Sequence, residues 1–426
     1  LEANTTGTEN IALGTGSLTA NTGGSQNVAV GKDALNSNTA TASENTAVGY
    51  NALAANTTAN GNTAVGRKAL LVNTTGTYNT GIGREALYDN TTGAHNTAVG
   101  NASLPNNIGA NNNCAFGSAT LHTNSTGTGN VAMGYAAGYS GNVSYCTFIG
   151  YSSGYENTVQ GTTGVGAYAC DKNTTGAKNT GIGYYALKAN ATGANNTAVG
   201  YESLKTITTD GHHNTAIGAQ SLLSATSARS NTAVGDGYAY TLTGGDQNVA
   251  IGHNAMYAAT TATQNVVIGG GEVGSNVAAG FNMTTGTLNV LIGAKAGTGS
   301  IAAGRNVAIG FNAMEKNTAS SRNVVIGAYA GDYLGISDGS ATDNVIIGDS
   351  AATNGGGNMS NNVCLGSSAG TDAVFAFGNN DNNRIVIGNN NNTNAYIKID
   401  WTVTSDKRDK IEDGTVSHGL DFVNQL

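Results

Sequence analysis

A five-residue phrase, Asn-Thr-Ala-Val-Gly or a close variant, recurs along nearly all of this 426-residue chain. Its glycine falls at Gly14, Gly31, Gly49, Gly66, Gly83 and Gly100 and continues to Gly388, 22 times in all. Of the 21 steps between these glycines, 13 are 17 residues and five more are 16 or 18. So short and regular a period denotes a single structural unit stacked on copies of itself. The expected fold is all-β: a parallel β-solenoid, or β-roll, of about 22 coils with a mainly 17-residue repeat.

Within a coil the pattern is specific. The residue before the glycine is large and apolar, as in Val48, Val65, Ile82 and Val99, and two positions earlier stands Thr46, Thr63, Thr80 or Thr97. Ala or Gly lies between them, an alternation of period two that predicts a strand. Four residues before the glycine, 19 of 22 repeats carry Asn, including Asn45, Asn62, Asn79 and Asn96; Cys146, Thr162 and Arg384 are the exceptions. Identical Asn residues in register can pass amide hydrogen bonds from coil to coil. The structural ladder is therefore assigned to these Asn residues, to Val48, Val65, Ile82 and Val99, and to the corner glycines Gly49, Gly66, Gly83 and Gly100. A second phrase, such as Asn51-Ala52-Leu53 or Lys68-Ala69-Leu70, reads as another strand supplying Leu to the same core. A turn such as Asn73-Thr74-Thr75-Gly76 follows it.

Coils at about 4.8 Å spacing would make a rod on the order of 100 Å long. The longer steps, Gly269 to Gly293, Gly327 to Gly348 and Gly366 to Gly388, read as coils carrying loops, with 270–288 and 328–343 as candidate contact loops. The small Ala and Gly positions predict a flat strand face suited to packing against another copy. The expected assembly is a homotrimer around a threefold axis.

Composition bounds the function. Net charge is −8 and Lys and Arg are scattered, which argues against nucleic-acid binding. No apolar stretch reaches membrane-spanning length and no secretory signal is visible, so membrane insertion is not expected. The chain opens at Leu1-Glu2 inside a repeat, the mark of a fragment of something longer. Four cysteines in different registers (Cys114, Cys146, Cys170 and Cys364) read as small buried hydrophobes. No cofactor and no metal site is expected, and His212-His213 reads as a solvated pair. Glu85, Glu202, Asp236 and Glu272 stand singly in well-separated coils and no paired carboxylate spacing recurs, so no recurring pair of carboxylates suggests an enzyme.

The repeated Asn-x-Ala-Val/Ile-Gly phrase resembles the heads of trimeric autotransporter adhesins over roughly residues 8–390. In that family three parallel β-rolls form one adhesive fibre. The coil here is longer and more uniform, with Asn-Thr-Thr-Gly turns. A second resemblance lies at the C-terminus, in Ile397-Lys398-Ile399-Asp400-Trp401-Thr402-Val403-Thr404-Ser405-Asp406-Lys407-Arg408-Asp409-Lys410 and Gly419-Leu420-Asp421-Phe422. It is similar to the start of the intramolecular chaperone of phage tail fibres and endosialidase-type tailspikes. That family's chaperone trimerises, guides assembly of the fibre and cuts itself off at a Ser-Asp bond. The resemblance implies self-cleavage at Ser405-Asp406 in a full-length parent; Lys410 is the candidate base, with Lys407 the alternative. The expected organisation is a fibre over 1–390, a connector over 391–404 and a truncated chaperone start over 405–426.

The functional expectation is a non-enzymatic, receptor-binding fibre on a virion or cell surface. Its partners are further copies of itself and a host cell-surface glycan or protein receptor. A bacterial surface adhesin is the alternative, with a polysaccharide depolymerase or an ice-binding solenoid behind it. Tyrosines after the repeat glycine (Tyr50, Tyr135, Tyr151, Tyr184 and Tyr201) read either as coil-to-coil packing or as faces for sugar rings.

Overall fold

The computed structural model describes residues 2–392 except 40, 209, 238–240, 272–276, 337–340, 355–356, 373–375 and 379–380. Residues Leu1–Asn389 form one compact unit and Asn390–Leu426 a second. The first unit is a parallel β-solenoid. Twenty-two three-residue strands, from β1 (Ile11–Leu13) to β22 (Ile385–Ile387), lie in one sheet. Each strand pairs in parallel with the next along the chain, in register, so that Thr46 faces Thr63 and Thr63 faces Thr80.

The two faces of that sheet are used in the opposite sense to the sequence expectation. The central residue of each strand points inward: Ala47, Ala64, Ala98 and Ala115 are fully buried. The large flanking residues point out, with Ile82, Ile182 and Met133 exposed to 39%, 40% and 48%. The flat Ala and Gly face thus lines the lumen, and the β-branched ladder is the outer surface. The reason is volume. Six residues beyond the strand centre, Leu53, Leu70, Leu87, Leu104 and Leu121 fill the lumen, all fully buried. A small strand residue opposite a Leu closes the narrow core at close-packed density.

The same rule governs the exceptions. In β9 (Thr147–Ile149) the inward residue is Phe148, and the positions that otherwise hold Leu become Gly138 and Gly154. A Cβ on Gly154 would overlap the Phe148 ring, and one on Gly138 would stand 2.8 Å from it. Likewise Leu291 faces Gly297 and Val325 faces Gly331, with a Cβ on the glycine falling 2.8 and 3.3 Å from the larger side chain. Large and small swap sides of the lumen while their sum is kept.

The expected second strand is a turn segment instead. Asn51 and Leu53 are left-handed, at φ 56° and 53°, and the alternation recurs at Lys68 and Leu70 (60° and 51°). Such φ values are unfavourable for Leu by roughly 1–2 kcal/mol. Burying the side chain, worth about 1.5–3 kcal/mol, offsets this. The curled backbone still bonds from coil to coil: Leu53 N–H donates to the Ala69 carbonyl at 2.9 Å and Lys68 N–H to that of Tyr50 at 2.9 Å. At the corner after each strand, Gly49 has φ 138°, and a Cβ there would lie 2.5 Å from the Gly66 carbonyl oxygen of the next coil. Only glycine fits that stacking.

Two files of buried asparagines run beside the lumen. In the first, Asn62 Oδ1 accepts from the Asn79 backbone N–H at 2.9 Å, and Asn62 Nδ2 donates to the Gly76 carbonyl at 2.9 Å. The second file is formed by the turn residues Asn38, Asn56, Asn73 and Asn90, joined side chain to side chain at 2.9, 3.2 and 2.7 Å. The files meet at shared acceptors. The Gly76 carbonyl takes bonds from both Asn62 (2.9 Å) and Asn73 (3.0 Å), and the Gly93 carbonyl from Asn79 (2.7 Å) and Asn90 (3.0 Å). A carbonyl has two lone pairs, so each corner is saturated. At Cys146 Asn130 Oδ1 still receives the backbone N–H at 3.0 Å, and the thiol stands in for the amide donor, reaching the Val159 carbonyl at 3.4 Å.

Candidate functional site: the outer sheet face and the aromatic rows

The strands position one long surface. Their 44 flanking residues are Val, Ile, Leu, Met, Phe, Thr or Cys without exception, so the face carries no charge and no side-chain amide across 22 strands. At about 4.8 Å per coil and about 3.3 Å per residue along a strand, it spans on the order of 1,000 Å². The largest apolar patch on a typical soluble monomer is about 300–600 Å². Ten of the strands open with Thr, so the face is uncharged rather than wholly apolar, and its length without a charge suits burial against another molecule.

Charges and rings lie elsewhere: some on the segment after the corner glycine, others just before the ladder Asn, as with Arg322–Asp343 and Tyr78–His95. Glu85 pairs with Arg67 at 3.1 Å and Arg84 at 3.3 Å, and Glu202 with Lys205 at 2.6 Å. The Lys205 ammonium holds the Glu202 carboxyl below the ordinary Glu range. These carboxylates are occupied as ion-pair partners. Asp236 stands on the same kind of segment, directly after the corner glycine Gly235, and Glu272 lies outside the described residues.

Of the tyrosines noted in the sequence, four belong to a continuous row. Tyr135 stacks on Tyr151 with ring centroids 5.3 Å apart, Tyr151 meets Tyr168 edge-on at 5.3 Å, and Tyr168 touches Tyr184 and Tyr185 at 6.5 and 5.3 Å. Tyr184 stacks on Tyr201 at 5.8 Å. Tyr50 is separate, with Lys32 over its ring at 6.0 Å. A second row, absent from the sequence reading, runs four positions further along the coil. In it His122 stacks on Tyr139 at 4.7 Å and Tyr139 on Tyr155 at 4.9 Å. The 16- and 17-residue steps through His122, Tyr139 and Tyr155 are the signal that would have found it.

Between the rows lies a groove of about 340 Å³ lined by Tyr135, Tyr151, Tyr155 and Tyr168 with Ser152, Glu156 and Asp171. Asp171 is 8% exposed, and burial, with the Glu156 charge second, raises its carboxyl above the ordinary Asp range; Lys188 and Lys172 oppose this.

The remaining candidates are placed as follows. Ser405, Asp406, Lys410 and Lys407 lie outside the described residues, as do 272–276 and 337–340 of the two candidate loops. Cys114 is half-buried and the other three cysteines are buried, all free. Burial pushes the Cys170 thiol up to about 12 and that of Cys364 to about 11. His212 Nδ1 accepts the Ala194 N–H at 2.9 Å and faces Asp210 at 3.8 Å. Among the described residues no group of three or more His, Cys, Asp or Glu could hold a metal ion, and no helix is long and apolar enough to cross a membrane. No protein-family model matches the chain, and no curated protein sequence matches it.

Proposed function

We propose that this chain is a structural and receptor-binding fibre of the phage tail-fibre kind that assembles as a homotrimer through the outer face of its sheet. The observation that supports this reading is the uncharged β-branched face running the length of 22 strands. Its roughly 1,000 Å² per chain is of the order of the ~800 Å² that each partner contributes to a standard interface. A parallel stack with near-identical coils can slip by one coil at little energetic difference, so correct register needs an external guide. The C-terminal resemblance to a self-cleaving chaperone, cutting at Ser405-Asp406 with Lys410 or Lys407 as base, would supply one. Residue by residue, that ending favours a tail fibre over a bacterial surface adhesin. The adhesin reading rests on the Asn-x-Ala-Val/Ile-Gly repeat and shares the same assembly. Three copies on one rod would add weak receptor contacts into useful avidity.

Light scattering coupled to size exclusion tests the assembly. A mass of about three times 42.5 kDa in an elongated particle is expected. A monomer at micromolar concentration would sink the reading.

A further inference from the structure

We propose that the groove between the two aromatic rows binds a chain of neutral sugar rings. This deepens the receptor-binding reading and rests on it for its biological purpose, although the groove belongs to a single chain.

Three features converge there. First, the rings are exposed where packing alone would bury them: Tyr135 and Tyr151 are 54% and 49% accessible. Elsewhere on the rod, positions after the corner glycine vary: Lys32, Arg67 and Arg84 are charged, Ala219, Ala294 and Ala328 are small, and Tyr50 and Phe311 are single aromatics at that position. Five coils of aromatic residues in succession, Tyr135 to Tyr201, are a local departure from that pattern. Second, the groove runs across coils. Tyr135 leaves one coil, Tyr151 and Tyr155 the next and Tyr168 the one after, so a ligand lying along the rod meets rings from three successive coils. Aromatic faces pack against the apolar C–H faces of pyranose rings. Third, hydrogen-bonding groups stand beside the rings. Ser152, Glu156 and Asp171 line the groove beside the rings, where they can accept bonds from sugar hydroxyls.

Charge selects the class. Asp171 and Glu156 are balanced by Lys172 and Lys188, the two lysines acting on Asp171, and the Lys188 ammonium sits over the Tyr185 ring at 4.1 Å and the Tyr168 ring at 5.4 Å. The groove lining itself carries the two acids and no base, the lysines standing outside it. A uronic or sialic acid polymer would bring uncompensated carboxylates against Asp171 and Glu156. Neutral hexose or N-acetylhexosamine chains would not.

The test is affinity electrophoresis of the full chain through native gels cast with neutral polysaccharides (a glucan, a galactomannan, a soluble chitin derivative) or with alginate. Retardation in at least one neutral gel is expected, weakened at least tenfold in Tyr151→Ala and in Tyr168→Ala. Tyr151→Phe keeps the face and is expected to bind within a few-fold of the parent. Tyr78→Ala, at an exposed tyrosine stacked on His95 away from the groove, is expected to bind as the parent does. No retardation in any neutral gel overturns the proposal, as does retardation that survives Tyr151→Ala or occurs in alginate alone. The mass of each variant by light scattering is read in parallel. A trimeric parent that no neutral gel retards overturns the groove proposal alone, whereas a monomeric parent overturns the fibre reading.

Discussion

Phe148→Ala removes the largest fully buried side chain of the rod from a coil whose facing positions are glycine. Large-to-small changes at such sites cost about 3–5 kcal/mol. Here the neighbours cannot collapse, because Gly138 and Gly154 present only backbone to the void. Gly154→Leu alone overpacks, since its Cβ would overlap the Phe148 ring, at a cost of about 1–3 kcal/mol or more. The two changes together recreate the Ala-opposite-Leu arrangement of Ala64 and Leu70. The backbone there suits it: Gly154 has φ 61° and Leu70 has φ 51°. The pair is expected to be less costly than the sum of the singles by at least about 2 kcal/mol, the upper range of coupling for contacting residues. Gly138 stays small, so rescue is partial.

Hydrogen exchange of the amides in and around residues 146–157, read by mass spectrometry, reports this locally, because a coil contacts mainly its neighbours. Phe148→Ala is expected to speed exchange there about a thousandfold, each 1.4 kcal/mol being tenfold, and the double variant to recover at least tenfold of it. Strictly additive losses would refute the account of volume exchange across the lumen.

Four further predictions follow from particular contacts. Asn62→Leu leaves the buried Asn79 N–H without its acceptor and takes one donor from the Gly76 carbonyl, at about 1–3 kcal/mol for the orphaned group; chemical denaturation of the coils around residue 62 measures it. Ile182→Glu puts a charge on the outer face and is expected to yield folded monomers by light scattering and circular dichroism. Asp171 has a raised folded pKa, so the folded state holds the proton between the unfolded and folded values and stability there falls as pH rises; Asp171→Asn is expected to remove that slope and to stabilise its coil at neutral pH, as local hydrogen exchange against pH would record. Thiol labelling of the native protein is expected to reach half-buried Cys114 first, and Cys170, raised to about 12, only on unfolding.

The coil was legible in the sequence because it is periodic: strand, corner glycine and the Asn45–Asn62–Asn79 file sit at fixed offsets. The direction of the strands' faces was not. Alternation over Thr46-Ala47-Val48 identifies two faces without saying which is inside, and the usual guide, apolar residues inward, fails when the outer face is apolar too. The deciding information lay six residues away, in the trade of Ala47 and Leu53 for Phe148 and Gly154. The second asparagine file was hidden because Asn56 and Asn73 stand in Asn-Thr-Thr turns, where Asn already has a local explanation. The groove was half legible. Tyr135, Tyr151 and Tyr201 declared one row, but the second row of His122, Tyr139 and Tyr155, of which Tyr155 lines the groove, mixes residue types, and Asp171 joins the groove only through folding.

The central claim, that the outer sheet face is where copies meet, is tested most directly by a spin label on that face, at Val199→Cys in a Cys114→Ala background. Stacked sheet faces lie about 10 Å apart, close enough for strong dipolar coupling between labels on neighbouring chains. The account predicts a broadened spectrum that sharpens when labelled chains are refolded with an excess of unlabelled ones. A sharp spectrum indifferent to that dilution would contradict it.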